Sequence, residues 1–300
     1  MVVAAFVVTS CTIDKTDFEA EINRDITEYH EFEEVISLDR DGYNITIEAL
    51  NGTFYKGYNE VRLQITNSQS GAELNASEIT FLPIKTSSES IKTSCPHQYN
   101  LTYNPVENYY SGYAVFTSIS SPDESWQLYI SFTDSNQIHT TNEFITVEEQ
   151  PNKNLNFTTF TGDDDEQYVI ALIAPQSPKV AENELVAGIY KYNQPTEPAG
   201  DFPDPLQFSY SQASNYTLLL DPRMPEPSMG NHSSPNNKDL TQQQDKLYYG
   251  VVNYTMTGSW TLNFILLNEI GETIKGTEVP TDFTPGIEGV KSELYIDILF

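Results

Sequence analysis

Two stretches of this chain carry the same landmarks in the same order, and that duplication narrows the available folds more than any other feature. YNITIEALNGTFYKGYNEVRLQI, from Tyr43, and YVIALIAPQSPKVAENELVAGIY, from Tyr168, each read as an alternating run, a turn, and Asn-Glu ahead of a second run. Sixteen positions separate Tyr43 from Asn59, and fifteen separate Tyr168 from Asn183. Downstream, FLPIKTSSESIKTSCPHQ corresponds to LLDPRMPEPSMGNHSSP: a proline near a strand end, then a polar loop with one histidine, His97 or His232. Next, Gly112 answers to Gly250 and Trp126 to Trp260, and EFITVEE answers to ELYIDILF at the two ends. Five landmarks in one order predict two related units, 41–148 and 155–300, joined by the polar EEQPNKNLN.

Within each unit the runs are short and period-two: YNITIEAL, NEVRLQITN, SEITFLPI, GYAVFTSIS, SWQLYISFTD and NEFITVEE, with Gly, Asn, Ser or Pro between them. Half-apolar runs of this kind suit antiparallel sheets that bury one face. A hydrophobic content of only 38% alongside 19 Tyr and 15 Phe fits the same picture. The expected fold is therefore all-β, two tandem antiparallel β-sandwiches, each large enough for its own core. Trp126 and Trp260, one per unit, read as core residues. The second unit carries two extra Pro-rich loops, KYNQPTEPAGDFPDPLQFSYSQAS and GTEVPTDFTPGIEGV.

Residues 1–40 read as a start and a tether ahead of these units. MVVAAFVVTSC is too short and too uncharged for a membrane span or a complete signal peptide. Its VTSC ending resembles a bacterial lipobox, which makes Cys11 the expected lipidation site and the protein anchored to a membrane rather than spanning it. The following segment to residue 40 is charge-rich. Its spacing at Phe18, Ile22, Ile26 and Tyr29 is compatible with a short helix or a flexible spacer.

With 43 acidic residues against 15 basic, net −28, the surface repels phosphates, which argues against nucleic acid as a partner. No G-x-S-x-G, P-loop, dinucleotide fingerprint or H-E-x-x-H occurs, and no enzyme activity is expected. The four-acid run in GDDDEQY reads as a solvated turn. The stretch 218–240, LLLDPRMPEPSMGNHSSPNNKDL, gathers Met224, Met229 and His232, and Met256 lies on a nearby predicted strand. Thioethers and imidazole are ligands for Cu(I) rather than for magnesium or calcium. The same residues also fit a structural turn with Met224 as a soft filler, or a partner contact. Cys95 and His97 form a weaker pair in the first unit, two ligands of the three or four a closed site uses.

The order Asn-Glu, Pro and Met before a His loop, Tyr-x-Gly, then Gly-x-Trp resembles the YtkA-like domain, which is related to the periplasmic part of FixH-like proteins. The residues carrying it are Asn183, Glu184, Pro222, Met224, Pro225, Met229, His232, Gly250, Met256, Gly258 and Trp260. The first unit offers Asn59, Glu60, Pro83, His97, Gly112 and Trp126. The resemblance implies immunoglobulin-like envelope domains in a lipoprotein of Bacteroidota type, with links to copper handling. It implies partners among envelope or copper-handling proteins. The methionines are absent from the first unit's loop, where KTSSESIKT stands. The alternative expectation is a protein-binding or assembly module of the envelope without a metal, using the long loops of the second unit.

Overall fold

A computed structural model describes residues 31–75 and 78–300. Among the described residues the regular structure is strand, apart from one 3-10 turn at Pro205–Phe208. The fold is all-β, two tandem units of mainly antiparallel strands, each closed over its own core.

In the first unit one sheet runs β1 (Phe32–Arg40), β2 (Tyr43–Leu50), β4 (Gly57–Asn67), β8 (Tyr109–Phe116) and β7 (Thr102–Asn104). The facing sheet runs β10 (Gln137–Ile145), β9 (Glu124–Asp134), β5 (Ile79–Ser87) and β6 (Lys92–Thr93). A short parallel pair, β3 (Phe54–Tyr55) with β11 (Val147–Glu148), closes one end. Burial alternates strictly along β2 and most of β4, because every second side chain points between the sheets. Ile45, Ile47, Val61, Leu63, Phe81, Phe116, Trp126 and Ile130 form the core between them.

The second unit joins its strands into one path: β12 (Phe157–Thr161), β13 (Gln167–Ala174), β14 (Glu182–Tyr192), β19 (Tyr248–Asn253), β18 (Lys238–Gln242), β16 (Thr217–Met224), β20 (Ser259–Leu267) and β21 (Thr273–Lys275). Off that path, β15 (Tyr210–Gln212) pairs with β14, β17 (His232–Ser233) with β16, and β22 (Leu294–Leu299) with β20. The two halves of this path share a separate core that includes Ile170, Leu185, Leu218, Met224, Trp260, Phe264 and Ile296.

The duplication holds at the level of strand register. Tyr43 faces Asn67 and Tyr168 faces Lys191, each eight residues beyond the unit's landmark Asn. Val61 faces Gly112 as Leu185 faces Gly250. Pro83 faces Leu128 as Pro222 faces Leu262, and Trp126 faces Ile145 as Trp260 faces Ile298. The landmark asparagines make identical bonds. Asn59 accepts from the Tyr55 N–H and donates to the Tyr55 and Gly57 carbonyls; Asn183 does the same with Lys179 and Ala181. One side-chain amide therefore pins the turn into the second long strand of each unit.

Two sequence expectations change here. The tether does not extend to residue 40, because Phe32–Arg40 pairs with β2 along its length and packs Val35, Ile36 and Leu38 against the core. Its alternation is masked by a bulge between Glu34 and Ile36 and by its edge position. The suggested helix at residues 18–29 lies outside the described residues, as does Cys11. The second change concerns the histidines. His232 pairs with Met224, two beyond Pro222; its register equivalent is Thr93, which pairs with Lys85, two beyond Pro83. His97 instead bridges to Ala114 and is not the counterpart of His232.

The units are packed on each other. Val115, Tyr58 and Tyr113 of the first meet Val169, Ala171, Tyr190 and Tyr210 of the second. The Pro-rich loop after β14 crosses to the outer face of the first unit, where Phe208 packs with Leu82, Ile84, Tyr99 and Tyr129. There Lys92 sits 3.5 Å from the Phe202 ring centre, and Tyr129 meets Phe202 edge-on. Two asparagines of the polar joint are buried: Asn152 donates to the Gln176 carbonyl at 2.5 Å, and Asn154 donates to that of Pro175.

Candidate functional site

The candidate site lies at the end of the second sandwich where β17, β16 and β20 run side by side. Met224 is paired directly with His232 on one flank. On the other flank the register runs through Arg223–Thr261, so the next position brings Met224 beside Trp260. Directly paired residues share a sheet face. The strand of Met224 therefore runs between those of His232 and Trp260, and both Met224 and Trp260 are buried. The His232 and Trp260 ring centres are 6.1 Å apart at 62°.

The surrounding loops hold this row in place. His232 Nε2 lies 2.8 Å from the Thr255 hydroxyl. Trp260 Nε1 donates to the Met256 carbonyl at 3.1 Å, which ties the Met256 loop to the indole. The Met229 carbonyl accepts from the His232 N–H at 3.2 Å, and the Met229 side chain packs on the same core. Gly258 has φ +130, and a Cβ there would stand 3.1 Å from Met224 Cε. Glycine meets both demands, the backbone angle and the space for the methionine tip. Met256 is partly exposed.

The second long loop, 276–290, is folded over this end. Gly289 N–H donates to the Pro225 carbonyl at 2.7 Å, Asn231 Nδ2 donates to that of Pro280, and Phe283 lies against Gly230. The carboxyl of Glu226 is held above its ordinary range by burial and by the neighbouring charge of Glu288.

The structure thus brings Met224, Met229, His232 and Met256 to one end of the unit, with Trp260, Thr255 and Gly258 added to them. Met224 is also a core side chain in its own right. The donors are neutral and soft, suited to a monovalent ion such as Cu(I) and unsuited to magnesium or calcium. Among the described residues, no group of three or more His, Cys, Asp or Glu is placed to hold a metal ion. Cys95 and His97 do not form a second site. Cys95 is fully buried and burial pushes its thiol well above the ordinary value, so it stays protonated. His97 Nδ1 lies 2.7 Å from the Cys95 carbonyl and must be the donor there, while burial lowers the imidazole to about 4.

In the first unit the equivalent row is Thr93, Lys85, Trp126. Lys85 Nζ stands 5.9 Å from the Trp126 ring centre and pairs with Glu124 Oε1 at 3.2 Å. Trp260 and Thr255 were missed as members of the site because strand register, not sequence spacing, brings them there. Trp126 next to a lysine on a paired strand leaves no local signal at all.

The chain matches no protein-family model and no curated protein. Among solved structures it is similar to a chimeric titin Z1Z2–Z1Z2 tandem functionalised with a GRGDS peptide from fibronectin. That match has 13% identity over 74% of this chain and 90% of the other, with a TM-score of 0.17. No helix among the described residues is long and apolar enough to cross a membrane.

Proposed function

We propose that this chain is a non-catalytic envelope lipoprotein whose second sandwich captures Cu(I) and hands it over at the Met/His row. The observation that carries the reading is the direct pairing of Met224 with His232, with Met229 and Met256 on the turns that flank it. Met224, Met229 and His232 would hold the ion, with Met256 at the open side for entry and exchange. Opening the site requires the Thr255 hydroxyl to release His232 Nε2 and the buried Met224 sulfur to turn outward. Thioethers need no deprotonation, so their share of the affinity changes little with pH. Cys11 would supply the anchor, and the partners would be copper-handling or other envelope proteins.

The test is a Cu(I) titration of residues 31–300 against a coloured chelator, beside the Met224→Ala, Met229→Ala double variant. One equivalent bound by the parent, with at least a tenfold loss in the variant, supports the reading; equal weak binding in both ends it. For the anchor, Cys11→Ser should release the full chain from membranes, and retention in the membrane fraction rules lipidation at that cysteine out.

A second reading is a protein-binding module without metal. It is supported by Phe283, Ile287 and Val290, which leave apolar surface exposed on loop 276–290. The other long loop packs Phe208 against the first unit and leaves Phe202 and Leu206 exposed.

A further inference from the structure

The two ends differ in one informative way. Where the second unit has His232 paired with Met224, and Trp260 one step past the last β16–β20 pair Arg223–Thr261, the first has Thr93 paired with Lys85 and Lys85 with Trp126. The methionine is replaced by a lysine, and its ammonium lies over the indole at 5.9 Å. An indole face attracts cations through its quadrupole, most strongly when they are poorly hydrated or partly desolvated. The first unit therefore already carries a cation on its tryptophan, held there by Glu124. The second unit keeps the tryptophan and the geometry but offers neutral thioether and imidazole in place of the charge.

We infer that the end of each sandwich is a cation platform built on its tryptophan, occupied in the first unit by Lys85 and lacking a built-in cation in the second, where a soft monovalent ion takes that place once Met224 turns outward, with the buried Trp260 ring as part of the recognition. This rests on the Met/His reading and adds a selectivity element to it. Strongly hydrated divalent ions gain little from an indole and from thioethers, whereas Cu(I) and Ag(I) suit both. The duplication then has a functional asymmetry. One copy is a permanently satisfied structural end, and the other takes its cation from outside.

The experiment uses Ag(I), which is redox-stable, added to uniformly 15N-labelled residues 31–300. The two indole N–H resonances are followed by NMR and assigned with Trp126→Phe. The expected result is saturation at one equivalent, with the Trp260 resonance displaced and that of Trp126 unmoved. In the Lys85→Met, Thr93→His variant a second equivalent should bind and the Trp126 resonance should move with it. Saturable binding of one equivalent with the Trp260 resonance unmoved overturns the inference and leaves Met/His capture standing. A double variant that still binds one equivalent, with Trp126 unmoved, overturns the equivalence of the two ends. Absence of any binding by the parent chain removes both proposals.

Discussion

The fully buried hydroxyl of Tyr190 finds no hydrogen-bond partner among the described residues, although its ring is packed against Tyr113. Burial drives its pKa far upward, and the group is carried as an uncompensated polar atom at the junction of the units. Tyr190→Phe should therefore stabilise the protein by about 1 kcal/mol, read as a raised urea midpoint with an unchanged slope. His97 makes the opposite kind of statement, through pH. It is buried neutral at about 4, while an unfolded histidine titrates near 6.5. Between these values the unfolded chain binds a proton that the folded chain refuses, so stability falls as pH falls from about 6.5 to about 4. That sensitivity amounts to about 3 kcal/mol across the window. His97→Asn keeps a donor near the Cys95 carbonyl and removes the titration. Its stability curve between pH 7 and 5 should be flatter than that of the parent, as measured by denaturant unfolding at each pH.

At the scale of elements, the hairpin from β16 to β17 and the turn into β20 meet around Gly258. Gly258→Ala sets a side chain at φ +130 and drives it against the Met224 tip. It should cost about 1–3 kcal/mol in thermal or urea unfolding. Alternation also says which strand faces are covered. β2 and most of β4 alternate cleanly, as half-exposed strands do, and both were legible as such. β13 and β14 instead bury a continuous run, and β5 buries Leu82 and Ile84 on its outer side. In the sequence YVIALIA reads as an alternating run, whereas its apolar residues, like those of LVAGIY, are contiguous, as in strands covered on both faces. What covers them was not readable, because the covering residues, Tyr58, Tyr113 and Val115, belong to the other unit.

For the whole molecule, that contact is the element expected to couple the two cores. The units share an aromatic junction, a buried asparagine joint and a loop that reaches from one to the other. Calorimetry of residues 31–300 should show one unfolding transition. Val115→Asp places a charge among Val169, Ala171 and Tyr190 and should split it into two. A parent that already unfolds in two separate steps would show that the junction is too weak to couple the cores. The all-strand class, the duplication and its landmark pairs other than the two histidines were set by the chain itself, because a strand pattern and a repeated spacing are local properties. The Met and His residues of the candidate row were visible as residue types on the same ground. Their arrangement was decided only in three dimensions. Which residue stands opposite which depends on strand register across long loops, and register placed Thr93 rather than His97 opposite His232, and Lys85 over an indole where the second unit has a thioether.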